Sequence, residues 1–388
     1  RVGADETFYR QEMNRLYRRL ESPVNPRAVF LETVEAIRET RSAFRDRLDA
    51  MKQGNDPLIP PVCGDPPDVN TLRKRLDPNT TVFSYYCGKQ SIHIWAISAK
   101  GIRQESVRMS RGDVERMVKD YHQTATSGDK AALNTLSEKA YTLLLMPVIS
   151  FVHGDRLGII PHGPLYRLPF ASMRYMKAYL VDVFSIFYLP HSGMMTATEP
   201  SKPASGPIHW LTIADGPDEK TQTPVPPAGH FSLLHVSKDG MLKLSGRYDI
   251  IEFDLECSLS DAYPLVSGFY PAASPSDRKE VAALDLLQIP VKARAAVLRA
   301  CRMDEHGFVS GAGLATLTGA LLSSASSSVV IPLWGVDETS RAVFLTSLYK
   351  NLEKNETIAD SLRAVQNEMI QAGASPSQWA PYVLFGRP

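Results

Sequence analysis

No apolar run in the 388 residues of this chain is long enough to cross a bilayer. The longest, Ala140 to Val152, contains Pro147 and is broken by Thr142 and Ser150, whereas a helical span needs about 20 consecutive apolar residues. Cysteine is nearly as scarce, with four residues at 63, 87, 257 and 301 and no CxxC pair. That spacing makes neither a disulfide framework nor a zinc site, so a reducing, cytoplasmic setting is expected and no metal or cofactor is implied. An excess of one charge is also lacking. Lys and Arg number 43 against 42 Asp and Glu, a formal net charge of +1. So balanced a surface does not build the positive field that gathers nucleic acid or an anionic membrane, and the expected partner is a protein or peptide. No secretory signal opens the chain, and its first residue is Arg1 rather than Met, from which a piece or processed product of a longer chain is expected.

An apolar fraction of 44% and a charged fraction of 22% are those of a globular protein with a sizeable core. The length accommodates two or three domain-sized units, or one large α/β body with an appendage. Apolar residues recur at helical spacing from Phe8 to Leu20 and again from Val29 to Met51, where Phe30, Val34, Ile37, Phe44, Leu48 and Met51 share a face. These predict two amphipathic helices in an N-terminal segment, 1–53. "GNDPLIPPVCGDPPDV", residues 54–69, holds five prolines and two glycines and reads as a linker.

Past the linker, "TTVFSYYCG" and "SIHIWAIS" are β-branched and aromatic runs joined by a glycine-containing turn, the pattern of paired strands. Helices are predicted at 111–124 and 130–152. Short apolar runs then alternate with helical patterns. Strands are expected at "RLGIIP", "VFSIFYL", "HWLTIA", "DIIEFDL", "AAVLRA", "SVVIPLW" and "PYVLFG", with helices at 311–323, 337–353 and 357–372. This order predicts a mostly parallel sheet covered by helices on both faces. Residues 196–247, rich in Pro, Ser, Gly and Lys, read as a long excursion from that sheet, with only weak strand signals at 208–214 and 231–236. The excursion divides residues 70–388 into a first part, 70–195, and a last part, 248–388. "TIAD" at 357–360 is a capping box, and Asp337 is placed to cap the helix after it.

In an open parallel sheet, reactive groups gather where strands end at their carboxyl edge. "AVLRAC" ends at Cys301, "DIIEFDLEC" at Glu256, and "LGIIPHGPLYRLPF" delivers His162 and then Arg167. These pieces carry a resemblance. "DRLGIIPHGPLYRLPFASM", then "AVLRAC", then "GAGLATLTGALLSSASSSVVIPLWGVDETSRAVFLTSLYKNL", and finally "QWAPYVLFG" resemble, in that order, the CHAT domain. That domain is a caspase-like peptidase module, akin to separases and gingipains, often found behind tetratricopeptide repeats in bacteria.

The resemblance implies a caspase-like α/β fold and a dyad of histidine, in a pattern like "H.A.HG", and cysteine, in a pattern like "L.AC". Cys301 falls on the nucleophile. "EFDLEC" falls on the histidine pattern, so Glu256 stands at the catalytic histidine and Cys257 at the glycine. An imidazole near pKa 6.5 takes a thiol's proton and pairs with the thiolate. A carboxylate near 4.3 is about four units weaker than the thiol, an uphill transfer of roughly 5 to 6 kcal/mol, and its charge pushes the thiol's pKa up. The expectation is a degenerate CHAT domain, a pseudopeptidase acting as a binding or regulatory module. Two alternatives stand beside it. One is an active cysteine endopeptidase using Cys301 with a borrowed histidine, His162 or His306. The other is a scaffold docking partners through the N-terminal helices. Arg167, Trp334 and Asp337 are expected to line the cleft.

Overall fold

A computed structural model of the chain describes residues 16, 29, 31–39, 42–43, 46, 68–197, 208–214, 230–234, 240, 246–261, 264, 267–270, 281–286, 291–299, 302–303, 310–324, 326–354 and 357–388. The chain divides into two compact units, Arg1–Asp65 and Pro66–Pro388. In the first, residues 31–39 are helical, and Ile37 is buried along with Leu16 while Ala36 packs against them. Most of the expected N-terminal helices and of the linker lies outside the described residues.

The second unit is built on an eleven-stranded sheet. It opens with helix α1 (Val69–Arg75) and the meander β1 (Thr80–Cys87), β2 (Ser91–Ser98) and β3 (Gly101–Arg108). Helices α2 (Arg111–Ser127) and α3 (Lys130–Leu144) follow, then β4 (Arg156–Ile160), β5 (Ser185–Tyr188), β6 (Trp210–Ala214), β7 (His230–Leu234) and β8 (Gly246–Asp254). Past β8 come β9 (Glu256–Leu259), β10 (Gly268–Tyr270), β11 (Val281–Ala282), β12 (Val291–Leu298) and β13 (Arg302–Met303). Helix α4 (Ala312–Ser324), β14 (Ser326–Pro332), α5 (Glu338–Leu352), α6 (Ile358–Gln371) and β15 (Tyr382–Gly386) complete the chain. The large sheet runs β3-β2-β1-β4-β5-β15-β14-β12-β8-β6-β7, and a smaller one runs β11-β10-β9-β13.

Only the β1–β2, β2–β3 and β14–β15 pairs of the large sheet are antiparallel. The remaining pairs are parallel, and helices flank the sheet, the expected α/β class. Central strands are therefore apolar on both faces. Ile250, Ile251 and Phe253 of β8 and Ala295 to Leu298 of β12 are all buried, which explains their continuous rather than alternating apolar pattern. Helix α5 seals the sheet through Phe344, Leu345 and Leu348, with the Phe344 ring stacked on Tyr382 of β15. Each such side chain stabilises by about 1.5 to 3 kcal/mol.

Two expectations are corrected. Within 196–247, expected as an excursion, the described residues 210–214 and 230–234 are instead strands of the sheet, β6 and β7, which extend it beyond β8 in parallel register, Ile250 beside Trp210 and Trp210 beside His230. The strand signals at 208–214 and 231–236 fall on these two strands. The helix expected over 130–152 stops at Leu144, just ahead of Pro147, whose ring and missing N–H cannot continue it. Strand β3 carried no recognisable signal, because "GIRQESVR" is polar and, as an edge strand, has no second neighbour. Both expected caps form. Thr357 Oγ1 accepts from Asp360 N at 3.1 Å, and Asp337 Oδ1 from Ser340 N at 2.9 Å.

Candidate functional site

Strands β8 and β12 are adjacent and parallel, with Glu252 level with Val297 and Phe253 with Leu298. Both chains then leave the large sheet and pair again in the small one, where β9 runs parallel to β13 with Ser258 level with Arg302. Glu256 opens β9, its backbone opposite Tyr270. Cys301 and His306 lie outside the described residues.

Beneath this exit lies a buried ionic cluster that sequence reasoning missed. Glu252, 6% exposed, is level with Thr212 of β6 and accepts its hydroxyl at 2.9 Å. Arg299, just past β12 and 3% exposed, approaches Glu252 Oε1 at 3.4 Å and also donates to Asp254. Burial raises the Glu252 pKa, opposed by the Arg299 charge and by hydrogen bonds from Thr212 and Tyr349. Burial alone would lower the Arg299 pKa, but the two carboxylates outweigh it and raise it. Glu252 is thus committed to holding β6, β8 and the end of β12 together.

A second junction fixes the loops around the strand ends. Asp261 Oδ2, just past β9, accepts the backbone N–H of Ser310 at 3.0 Å and of Gly311 at 2.9 Å. Its Oδ1 accepts that of Gly313 at 3.1 Å, so one carboxylate satisfies the open N–H groups at the start of α4. Arg167, from the loop after β4, donates to the same Asp261 Oδ2 at 3.0 Å. Gly311 has φ +66°, and a Cβ there would meet the Cβ of Tyr166 at 2.4 Å. A side chain at 311 is therefore excluded twice, by conformation and by space.

The side chains expected along the cleft wall take these places. Arg167 is 1% exposed, ion-paired rather than open to solvent. Its backbone carbonyl accepts from His122 Nε2 of α2, which assigns the His122 ring proton to that nitrogen. Trp334 is 6% exposed, meets the His122 ring edge-on, and donates from its indole to Ser377 O at 3.0 Å. Asp337 is exposed and caps α5, the Ser340 N–H holding its carboxyl below the usual range. His162 is half-buried, with Nδ1 accepting from Cys87 N at 3.2 Å and its ring against Tyr86. Burial and the nearby Arg111 charge both lower its pKa. Among the described residues no cluster of His, Cys, Asp and Glu is arranged to hold a metal ion.

Burial pushes the His122 pKa down to about 4. The neutral ring is the folded form, so its stabilisation is full above the unfolded value near 6.5 and is lost as pH falls through about 4. Acidification from pH 7 to 4 should therefore cost the native chain about 3 kcal/mol more than the His122→Gln variant, whose amide donates without titrating. Urea unfolding at stepped pH reads this difference, and parallel curves for the two proteins would refute it.

Spacing alone carried no sign of a disulfide, yet Cys257, 1% exposed, is disulfide-bonded. Cys87 is a buried free thiol whose pKa burial raises to about 12.

The solved structures this chain resembles identify the fold. Two crystal structures of the Saccharomyces cerevisiae separase–securin complex match with TM-scores of 0.52 and 0.53 at 8% identity. The match covers 82% of this chain but only 31% and 30% of those chains, so the chain spans about a third of their length. The complex of Porphyromonas gingivalis RgpB pro- and mature domains matches at a TM-score of 0.35 and 9% identity, over 71% of this chain and 76% of that one. The fold is accordingly the caspase-like α/β sheet of separase.

Residues 228–387 match the family model described as the CHAT domain, a span that includes both 256 and 301. Among curated proteins none matches the chain. No described helix is long and apolar enough to cross a membrane.

Proposed function

We propose that this chain is a CHAT-type pseudopeptidase, a caspase-like module that keeps the nucleophile position at Cys301, carries Glu256 at the histidine position, and binds a protein or peptide without cutting it. The observation that carries this reading is the pairing of the strands that lead to those positions. β8 and β12 are parallel neighbours in the large sheet and continue as parallel neighbours β9 and β13, the arrangement in which consecutive strand ends bring a dyad together. At the base position stands a carboxylate, which holds back thiolate formation instead of promoting it. A separase in the matched structures is in complex with securin, which agrees with a protein as the partner here. The reading carries with it a cytoplasmic place in a multidomain bacterial protein, behind helical repeats.

A peptide series with an electrophilic warhead for cysteine peptidases tests it on the reduced chain near neutral pH. We expect no labelling of Cys301, and we expect Glu256→His to raise its labelling rate by about 10²-fold or more. Stoichiometric labelling of the parent chain, abolished by Cys301→Ser, would establish instead an active peptidase with a base supplied from elsewhere, His162 or His306.

A further inference from the structure

We infer that the open face of the meander β1–β2–β3 is a docking site for a proline-rich segment of a partner protein, held as an extended polyproline II helix. Strand alternation places Tyr86 of β1, Ser91, His93 and Trp95 of β2, and Gln104 and Ser106 of β3 on one face. The alternate residues, among them Tyr85, Ile92 and Ile94, are buried in the core on the other face. Tyr86 is 51% exposed, and His93 and Trp95 are half-buried. Their rings form a row, with centroids 6.3 Å apart from Tyr86 to His93 and 6.1 Å from His93 to Trp95. The His162 ring, 4.8 Å from that of Tyr86, adds a fourth.

The chemistry of this face selects its occupant. His93 is held at both ring nitrogens, by Ser106 Oγ at 2.9 Å and Ser91 Oγ at 3.1 Å, and Gln104 Nε2 donates to Ser106 Oγ at 2.9 Å. Those polar groups are spent on one another. The Trp95 indole N–H and the Tyr86 hydroxyl have no hydrogen-bond partner among the described residues, so ring surface and two donors remain. The three strands put no carboxylate on this face and a single cation, Arg108, at its margin opposite Ser91, too little charge to track a phosphate backbone. A polyproline II helix answers each feature. It has no internal hydrogen bonds, so its carbonyls are free to accept from Trp95 and Tyr86, while its pyrrolidine rings lie on aromatic surface. Its stiffness spares the ordering entropy that a flexible peptide loses on binding. At about 3.1 Å per residue, roughly four residues span the row from Tyr86 to Trp95. The segment lies across the face and leaves the charged edge of β3 unpaired.

Tryptophan fluorescence reads this site directly, because Trp95 is half-buried whereas Trp210, Trp334 and Trp379 are buried. Acetylated decaproline added to the full chain should shift the emission to the blue in a saturable way and shield it from acrylamide. A glycine-serine decamer should do neither, and Trp95→Phe should abolish the signal. Tyr86→Ala should weaken binding by about tenfold, read as the anisotropy of fluorescein-labelled decaproline, and Tyr86→Phe, which keeps the ring, should lose less. Absence of saturable decaproline binding, equal binding by Tyr86→Ala, or tighter binding of an oligouridylate octamer or of cellohexaose would overturn the inference. The meander lies at the margin of the sheet away from β8 and β12, and no outcome here depends on Cys301 or Glu256, so the two proposals fail separately.

Discussion

Replacing Asp261 by alanine should destabilise the chain by about 3 to 5 kcal/mol, the cost of removing one partner from a buried ion pair. The carboxylate does two jobs at once. It faces the Arg167 guanidinium across 3.0 Å with both side chains almost wholly buried, at 1% and 3% exposure. It also accepts the backbone N–H groups of Ser310, Gly311 and Gly313. Alanine strips the guanidinium of its carboxylate and takes the acceptor from three N–H groups. An asparagine side chain keeps one acceptor oxygen without the charge, so Asp261→Asn should lose less, about 1 to 3 kcal/mol. Urea unfolding followed by circular dichroism orders the three proteins. A loss under about 1 kcal/mol in the alanine variant would mean that the junction is not the anchor described.

Arg299→Met should cost a comparable amount, about 3 to 5 kcal/mol, because Glu252 then stays buried without its counter-charge. Mild acidification should stabilise that variant more than it does the parent chain, since the raised pKa of Glu252 rises further without the Arg299 charge and a protonated Glu252 no longer needs a cation. Adding Glu252→Gln should recover part of the loss, with a coupling between the sites of about 0.5 to 3 kcal/mol in a double-mutant cycle. Strict additivity of the two single losses would show that the side chains do not act as a pair. Thr212, which donates to Glu252, shares the network, so the three positions are best varied together.

The sheet was legible because its central strands are buried on both faces and must be apolar throughout. Runs such as "DIIEFDL" and "SVVIPLW" could be read directly, and so could the caps at Thr357 and Asp337, whose partners lie three residues away. The junctions around the strand ends were not legible. Arg167 and Asp261 stand 94 residues apart, and Thr212 and Glu252 stand 40 apart. Nothing local in "SLSD" marks its aspartate as the acceptor for a distant helix start. Arg167 looked like a cleft residue because arginine at a strand-end loop is normally solvated, and its burial depends on a carboxylate delivered by another strand. His122 gave no hint either, since a histidine in an amphipathic helix has no pattern that distinguishes a loop tether from a surface side chain. Glu252 gave no hint of its partner, the buried Arg299, which the folded topology supplies.

The polar edge strand β3 has a consequence for how this sheet meets other molecules. Of the two sheet margins among the described residues, this one alternates exposed Arg103, Gln104 and Ser106 with half-buried Glu105 and Val107, and Arg103 is bridged to Glu105 at 2.8 Å. An incoming strand that paired there would have to strip water from those charges along its whole length, which discourages runaway edge-to-edge growth. That margin therefore works as a stopper against strand addition at the meander end of the sheet.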